Sequence, residues 1–409
     1  MNRKVVVTGT GCVSGLGVGT AANWTRAVTG QGAIRPIERV IWQDEPDFTI
    51  RGMAAWIAPE MLAAAMPARD LRKLGLLDDF SRFALIAADE AVRMAGIDGH
   101  PALAERTAVV IGCGSNGNAL VDAAFERLYA RKTRRFHPQT IPASMISVPA
   151  SHVAMMLGVH GPTLVLASAC ASSSHALGEA MRMVREGRVD VAIAGGTEAC
   201  ITLGAWFAWN SLGVLAPDTC RPFSTGRKGM VLGEGAAMLV LESEAHALAR
   251  GATILGELAG YGATSDAGQM TAPDQRTVEA AIRLALADAG IGAETPALVS
   301  AHGTGTELND ACEAAALRAV YGDRMADNLV IATKSAHGHL IGASGALQFA
   351  LGLRALAEGR APPVLGHVAA DPACAIPLAL APTPIAHDVL VANAFAFGGL
   401  NAVLVGRRY

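Results

Sequence analysis

Along the chain, short apolar runs alternate with longer stretches in which alanine and leucine recur at helical spacing. The apolar runs, rich in Val, Ile, Leu and Ala, predict strands at residues 4–8, 108–112, 163–167, 189–194, 237–242, 254–260, 298–302, 329–333, 389–394 and 402–406. The periodic stretches predict helices at 78–95, 144–157, 172–186, 275–289, 310–320 and 340–358. Such alternation implies an α/β fold, with a largely parallel sheet and helices on its faces. Two halves are expected, 1–250 and 251–409, each with strands before helices and a reactive-looking residue at a strand end, as in a duplicated α/β unit. Segments 32–69 and 118–149 read as loop-rich, placed to decorate the top of the sheet and shape a substrate site.

Residues 199–217 carry no formal charge, a stretch near the length of a membrane span. Gly204, Asn210, Ser211 and Gly213 interrupt it and Pro217 closes it, so a buried helix with a loop, or a protein contact, fits better. No transmembrane segment is expected. The N-terminal MNRKVVVTGTG reads as a first strand rather than a secretory signal.

Composition narrows the function. The 409 residues are 51% hydrophobic, and 33 basic against 36 acidic side chains leave a net charge of -3. That balance lacks the basic footprint of a general nucleic-acid binder. Seven cysteines, an odd number with no C-x-x-C pair, fit a reducing, cytoplasmic setting and no metal finger.

Four segments carry candidate chemistry. In LVLASACASSS an apolar run stops at Cys170 and a helix follows, so the sulfur sits near a helix N-terminus. The helix dipole and free N–H groups there favour a thiolate and can hold an oxyanion. Either a nucleophile or a buried structural cysteine satisfies this local pattern. In SAHGTGTELNDACE, His302 ends a strand and Thr304 and Thr306 follow on a tight loop; a histidine aimed into a pocket and one merely satisfied in a turn both fit. Asp310 and Glu313 read as helix-capping carboxylates. IATKSAHGHLIGASG holds Lys334 and His339, with His337 as a competitor. NAFAFGGLN sets Phe395 and Phe397 before paired glycines that can present backbone N–H groups. One cysteine, two histidines, one lysine and an N–H loop at strand ends suggest acyl transfer through a thioester. A dinucleotide fingerprint fails because Gly9-Thr-Gly11 lacks its third glycine, and no P-loop or H-E-x-x-H occurs. A papain-like hydrolase leaves the second histidine and the lysine unexplained.

These motifs in this order, from VVVTGTGCVSGLG through ASACASSSHA, AGGTEA, CRPFSTGRKGMVLGEGAAMLVLE, AHGTGTELND and TKSAHGHLIGASGA to NAFAFGGLNAVL, span nearly the whole chain. The chain resembles the elongating β-ketoacyl-[acyl-carrier-protein] synthases of the thiolase superfamily. LAPDTCRPFSTGRKG, ARGATILGELAG and His337 are most similar to the nodulation-protein-E branch, specialised synthases making unusual acyl chains. The resemblance implies a thiolase-like, five-layered α/β/α/β/α fold with the nucleophile in the first half and both histidines in the second. It implies that Cys170 takes the acyl chain as a thioester while His302 and His339 stabilise the enolate formed when malonyl loses carbon dioxide. The N–H groups of Cys170 and Phe397 would form the oxyanion hole, with Phe397 also the gate between acyl and malonyl sites. Lys334 would support the histidines, and Thr304 and Thr306 would contact the pantetheine arm. No cofactor is implied beyond the carrier's phosphopantetheine.

The acidic acyl carrier protein needs a basic landing site. Arg69, Arg72 and Lys73 form one such stretch, and Arg134 and Arg135 another. Two departures from the family pattern stand out: Gln348 replaces a usual glutamate, and Ser115 replaces a bulky aliphatic residue near the acyl pocket, which would admit a longer or bent chain. A homodimer is implied; a heterodimer with a related synthase stays open. A non-catalytic chain-length-factor-like partner lacks the nucleophilic cysteine that Cys170 supplies. A thiolase would carry a second cysteine where NAFAFGG stands.

Overall fold

VVVTGTGCVS is buried along its whole length and forms strand β1 (Val5–Ser14). Its small residues are required by a helix laid across it: a Cβ on Gly11 would lie 2.0 Å from the Ala87 carbonyl oxygen. The computed structural model describes residues 3–40 and 48–409. The remaining main strands are β2 (Thr107–Gly112), β3 (Thr163–Leu166), β4 (Val191–Glu198), β5 (Gly235–Ser243), β6 (Gly256–Ser265), β7 (Ala297–Ser300), β8 (Leu329–Ile331), β9 (Val389–Ala396) and β10 (Leu400–Arg407). The helices that matter here are α1 (Asp79–Ala95), α2 (Asn118–Tyr129), α3 (Val148–Leu157), α4 (Ser172–Arg185), α5 (Leu203–Ser211), α6 (Gln275–Asp288), α7 (Glu307–Tyr321) and α8 (Ser344–Glu358).

The strands run in the order β8-β7-β9-β10-β6-β1-β5-β4-β2-β3. The order is a duplication. Outward from the centre, β1-β5-β4-β2-β3 repeats as β6-β10-β9-β7-β8, with antiparallel pairs inside and parallel pairs outside in both halves. The halves meet where β1 and β6 pair antiparallel over Val6 opposite Glu257 and Val7 opposite Gly256. Helices α4 and α8 pack together between the two halves, while α1 and α3 cover one outer face and α6 and α7 the other. Five layers, α/β/α/β/α, result, and this is the thiolase-like architecture.

Several expectations need correction. The sheet is mixed rather than largely parallel, because β9 returns directly as β10 through Gly398 and Gly399, and such a hairpin forces antiparallel pairing. The 32–69 segment is not simply loop: Arg35–Val40 and Thr49–Ala55 pair as an antiparallel ribbon, while residues 41–47 lie outside the description. Within 118–149, α2 and a short helix, Thr140–Ser144, replace the expected loop. Helix α2 buries none of its residues, although Leu120, Val121, Ala124, Phe125, Leu128 and Tyr129 recur at helical spacing along it. The uncharged 199–217 stretch holds α5, in which only Leu203 and Trp206 are buried. Among the described residues, no helix is long and apolar enough to cross a membrane.

Candidate active site

The nucleophile turn is built from small residues. After β3, Ala169 takes a left-handed φ of 46° and a tight turn, Ala169–Ala171, leads straight into α4. The Ser172 hydroxyl locks this turn: it accepts from the Ser168 amide at 2.9 Å and donates to the Ala169 carbonyl at 2.7 Å. The end of β2 presses on the same helix start, where a Cβ on Gly112 would come within 2.3 Å of the Ser173 nitrogen. Cys170 is thereby held at 6% exposure, at the floor of a cavity of about 510 Å³. The expected lowering of its thiol pKa is reversed. Burial pushes Cys170 up to about 11, outweighing the Lys334 charge and the amides of Phe397 and Cys170 itself, which pull it down.

His339 arrives from the loop before α8. Its Nε2 lies 3.1 Å from Cys170 Sγ. Its Nδ1 accepts from the Ile341 amide at 3.2 Å and lies 2.9 Å from the Ser344 hydroxyl. An amide can only donate, so the ring proton belongs on Nε2, facing the sulfur. His302 arrives from the end of β7. The Lys334 ammonium, a pure donor, lies 3.3 Å from His302 Nδ1 and donates to the His302 carbonyl at 2.6 Å, so here too the proton belongs on Nε2. The two imidazoles meet edge to face, 5.5 Å between centroids. Burial and the Lys334 charge hold both well below the ordinary histidine range, so both are neutral N–H donors. Cys170 Sγ and one ring nitrogen from each of His302 and His339 lie within 4.8 Å of one another. Sulfur and imidazole form a donor set that soft divalent ions accept, at the expense of these N–H groups.

A buried polar layer stands behind the triad. Lys334 is 1% exposed and also donates to Gln348 Oε1; Gln348 Nε2 donates to the Ala301 carbonyl at 2.8 Å. Glu313 accepts from the amides of His302 and Gly303 at 2.8 and 2.9 Å and from Asn393 Nδ2 at 2.9 Å. Asp310 accepts from the Phe223 amide at 2.8 Å. These carboxylates are therefore not the helix caps that the sequence led us to expect; both are fully buried anchors for the histidine loop and its neighbours. Burial pulls the Lys334 ammonium down to about 8, with Glu313 opposing. His337 faces away from Cys170, bonded to the Gly338 carbonyl at 2.7 Å and the Thr333 hydroxyl at 2.9 Å.

Thr304 and Thr306 line the cavity, their hydroxyls 2.8 Å apart, and Phe397 lines it with its amide beside the Cys170 sulfur. Ser115 lies elsewhere: its hydroxyl donates to Glu198, which also accepts from the amides of Gly114 at 2.8 Å and Gly342 at 3.0 Å. The basic stretches differ in availability. Arg69 is committed to Asp89 and Asp98, and Arg72 pairs with Asp70, whereas Lys73, Arg134 and Arg135 are exposed. A bond from the Leu76 amide to Gln139 Oε1, 2.8 Å, ties the two stretches' loops together. Sequence reasoning missed Glu198, Trp209 and Met270, and misread Glu313; only the acidic spacing in TELNDACE hinted at the last.

A two-halved fold of this kind, with cysteine and two neutral histidines over one cavity, defines a condensing enzyme. The chain belongs to the β-ketoacyl synthase family: the N-terminal domain of that family matches residues 2–247 and its C-terminal domain residues 255–367. It is 39% identical over 413 residues to Nodulation protein E of Rhizobium sp. (strain N33), covering 100% of both chains. It is 33% identical over 419 residues to 3-oxoacyl-[acyl-carrier-protein] synthase 2 of Staphylococcus aureus (strain COL), covering 100% of this chain and 99% of that one. A solved structure of the ishigamide ketosynthase/chain length factor superposes with a TM-score of 0.92 at 32% identity, with 100% of both chains covered. The chain is a 3-oxoacyl-[acyl-carrier-protein] synthase of the elongating type, with the Cys-His-His arrangement of acyl-chain condensation.

Proposed function

We propose that the reaction runs in two half-steps through Cys170. The thiol gives up its proton, and the sulfur attacks an acyl thioester carried on phosphopantetheine; the carrier thiol leaves with a proton. A malonyl thioester then enters, its thioester oxygen between the Nε2–H groups of His302 and His339. Loss of carbon dioxide leaves an enolate held by those two donors, and no metal is needed for that charge. The enolate carbon attacks the Cys170 thioester. The resulting oxyanion lies on the N–H groups of Cys170 and Phe397, and its collapse releases the sulfur and a 3-oxoacyl chain longer by two carbons. Lys334 keeps His302 in its Nε2–H form, and Thr304 and Thr306 hold the pantetheine arm.

The single observation that carries this reading is a pair of neutral imidazoles whose Nδ1 atoms are both occupied by donors, next to one buried sulfur. A hydrolase needs a base; here both rings serve as hydrogen-bond donors. The chain-length-factor reading finds no support in a chain that retains Cys170 on its turn.

An acyl carrier protein is the proposed partner, met by Lys73, Arg134 and Arg135 with Arg72 beside them; the joining of their loops supports this. A homodimer is proposed through β3, which ends the sheet with no further strand beside it among the described residues and leaves Leu164 47% exposed. A cytoplasmic location and the division into halves at 1–250 and 251–409 belong to the same reading. The test is intact-protein mass after incubation with acyl-carrier thioesters of graded length. A covalent acyl adduct that disappears in Cys170→Ala supports the scheme; no adduct from any primer overturns it.

A further inference from the structure

We infer that Trp209 is a positioning residue for Phe397, and that the two rings form a latch across the cavity which a long acyl chain on Cys170 must part. This rests on the condensing-enzyme reading and deepens it toward chain selection. The rings belong to different halves of the chain. Trp209 lies near the end of α5, and Phe397 directly follows β9. Their centroids are 6.3 Å apart with planes inclined by 30°, a tilted contact within the distance over which aromatic rings attract. Both line the cavity that has Cys170 at its floor.

What holds Phe397 elsewhere is backbone. Gly398 and Gly399 follow it with φ of 85° and 70°, so the turn carries no side chain to fix the ring. The turn is tied to the 266–270 loop by the Gly398 amide on the Met270 carbonyl, 2.7 Å, and the Asp266 amide on the Gly399 carbonyl, 2.9 Å. The ring itself rests on Trp209. The amide of the same residue faces the Cys170 sulfur, so displacing the ring also disturbs an oxyanion donor. Helix α5 is short, Phe207 and Leu212 around Trp209 are 44% and 53% exposed, and Trp209 itself is half-buried, packed against the core and also lining the cavity, which gives its ring open space on that side. A short primer leaves the latch closed. A long one parts it, and Trp209 thereby sets a threshold in chain length.

The experiment compares Cys170 acylation rates with long- and short-chain acyl-carrier thioesters, read by intact mass, in wild type, Trp209→Ala and Trp209→Phe. Trp209→Ala should raise the long-to-short ratio about 3- to 10-fold, the weight of one aromatic contact, while Trp209→Phe keeps a ring and stays near wild type. A second readout is tryptophan fluorescence: long-chain acylation should shift wild-type emission, and the shift should vanish in Trp209→Phe, which still acylates. An unchanged ratio in Trp209→Ala, or an undiminished shift in Trp209→Phe, overturns the latch and leaves the enzymatic reading intact. If Trp209→Ala does not fold, the fluorescence comparison decides alone. Wild-type protein that takes no acyl chain overturns both readings.

Discussion

Cys170 Sγ lies 3.1 Å from His339 Nε2, although 169 positions separate them, and the proton between them belongs to the imidazole. The Ile341 amide fixes that tautomer from behind. The histidine is therefore placed to donate to whatever oxygen the reaction charges, and the cysteine must lose its proton to an incoming thioester rather than to a standing base.

The histidines should consequently separate the two half-steps. His302→Ala and His339→Ala should still form the acyl adduct on Cys170, while condensation falls about 10²- to 10³-fold each, the usual cost of one oxyanion donor. Intact mass and product formation on the same samples check this. A variant that condenses at the wild-type rate would show that two histidines are not required.

Glu313 should matter for stability as well as rate. It satisfies three buried donors, two of them amides on the His302 loop. Glu313→Ala leaves those donors unpaired and should cost about 2–4 kcal/mol. Urea denaturation measures it. A loss below about 0.5 kcal/mol would mean that the loop finds other acceptors.

Gln348 should set the alkaline limit of the reaction. Lys334 is pulled down to about 8 and donates to a neutral amide, not to a carboxylate. Activity that needs the ammonium should decline as pH rises through about 8. Gln348→Glu places a negative charge on that contact and should move the alkaline limb upward by about one unit or more. Condensation rate against pH in both proteins decides the matter; coincident limbs would detach the limit from Lys334.

His337 should make stability depend on pH in the acid direction. Burial holds it at about 3, while in the unfolded chain it titrates near 6.5. As pH falls below about 6.5, protons bind the unfolded chain first, so the stability from this residue is complete above that pH and is lost progressively toward about 3. The slope is about 1.4 kcal/mol per unit for one such group. His337→Gln should flatten the fall between pH 6.5 and 4.5 in denaturant titrations. Asp310 and Asp78, raised by burial to about 6, bias the total the other way, so the difference between the two proteins is the informative quantity. Parallel curves would show that His337 titrates normally in the folded state.

The sequence by itself determined more of this protein than its local signals suggest. All ten main strands and six of the helices were legible, because each carries a continuous apolar run or a clear stripe, buried in all but the edge strand β3. Cys170, His302, Lys334 and His339 stood out because each follows an apolar strand among glycines and small residues. The ribbon Arg35–Val40 with Thr49–Ala55 carries little periodic signal and reads as loop. Helix α2 has a helical stripe, Leu120, Val121, Ala124, Phe125, Leu128 and Tyr129, and was missed in spite of it. Tertiary structure alone decided strand direction, since parallel and antiparallel strands have the same composition and differ only in how the chain returns. It alone decided the ionisation of the site: the helix terminus favours a thiolate at Cys170, but burial on all sides reverses the sign. It also decided the partners of Glu313 and the meeting of Trp209 with Phe397, contacts between segments that local pattern cannot join. Periodicity records which face of an element is buried; it does not record what that face is buried against.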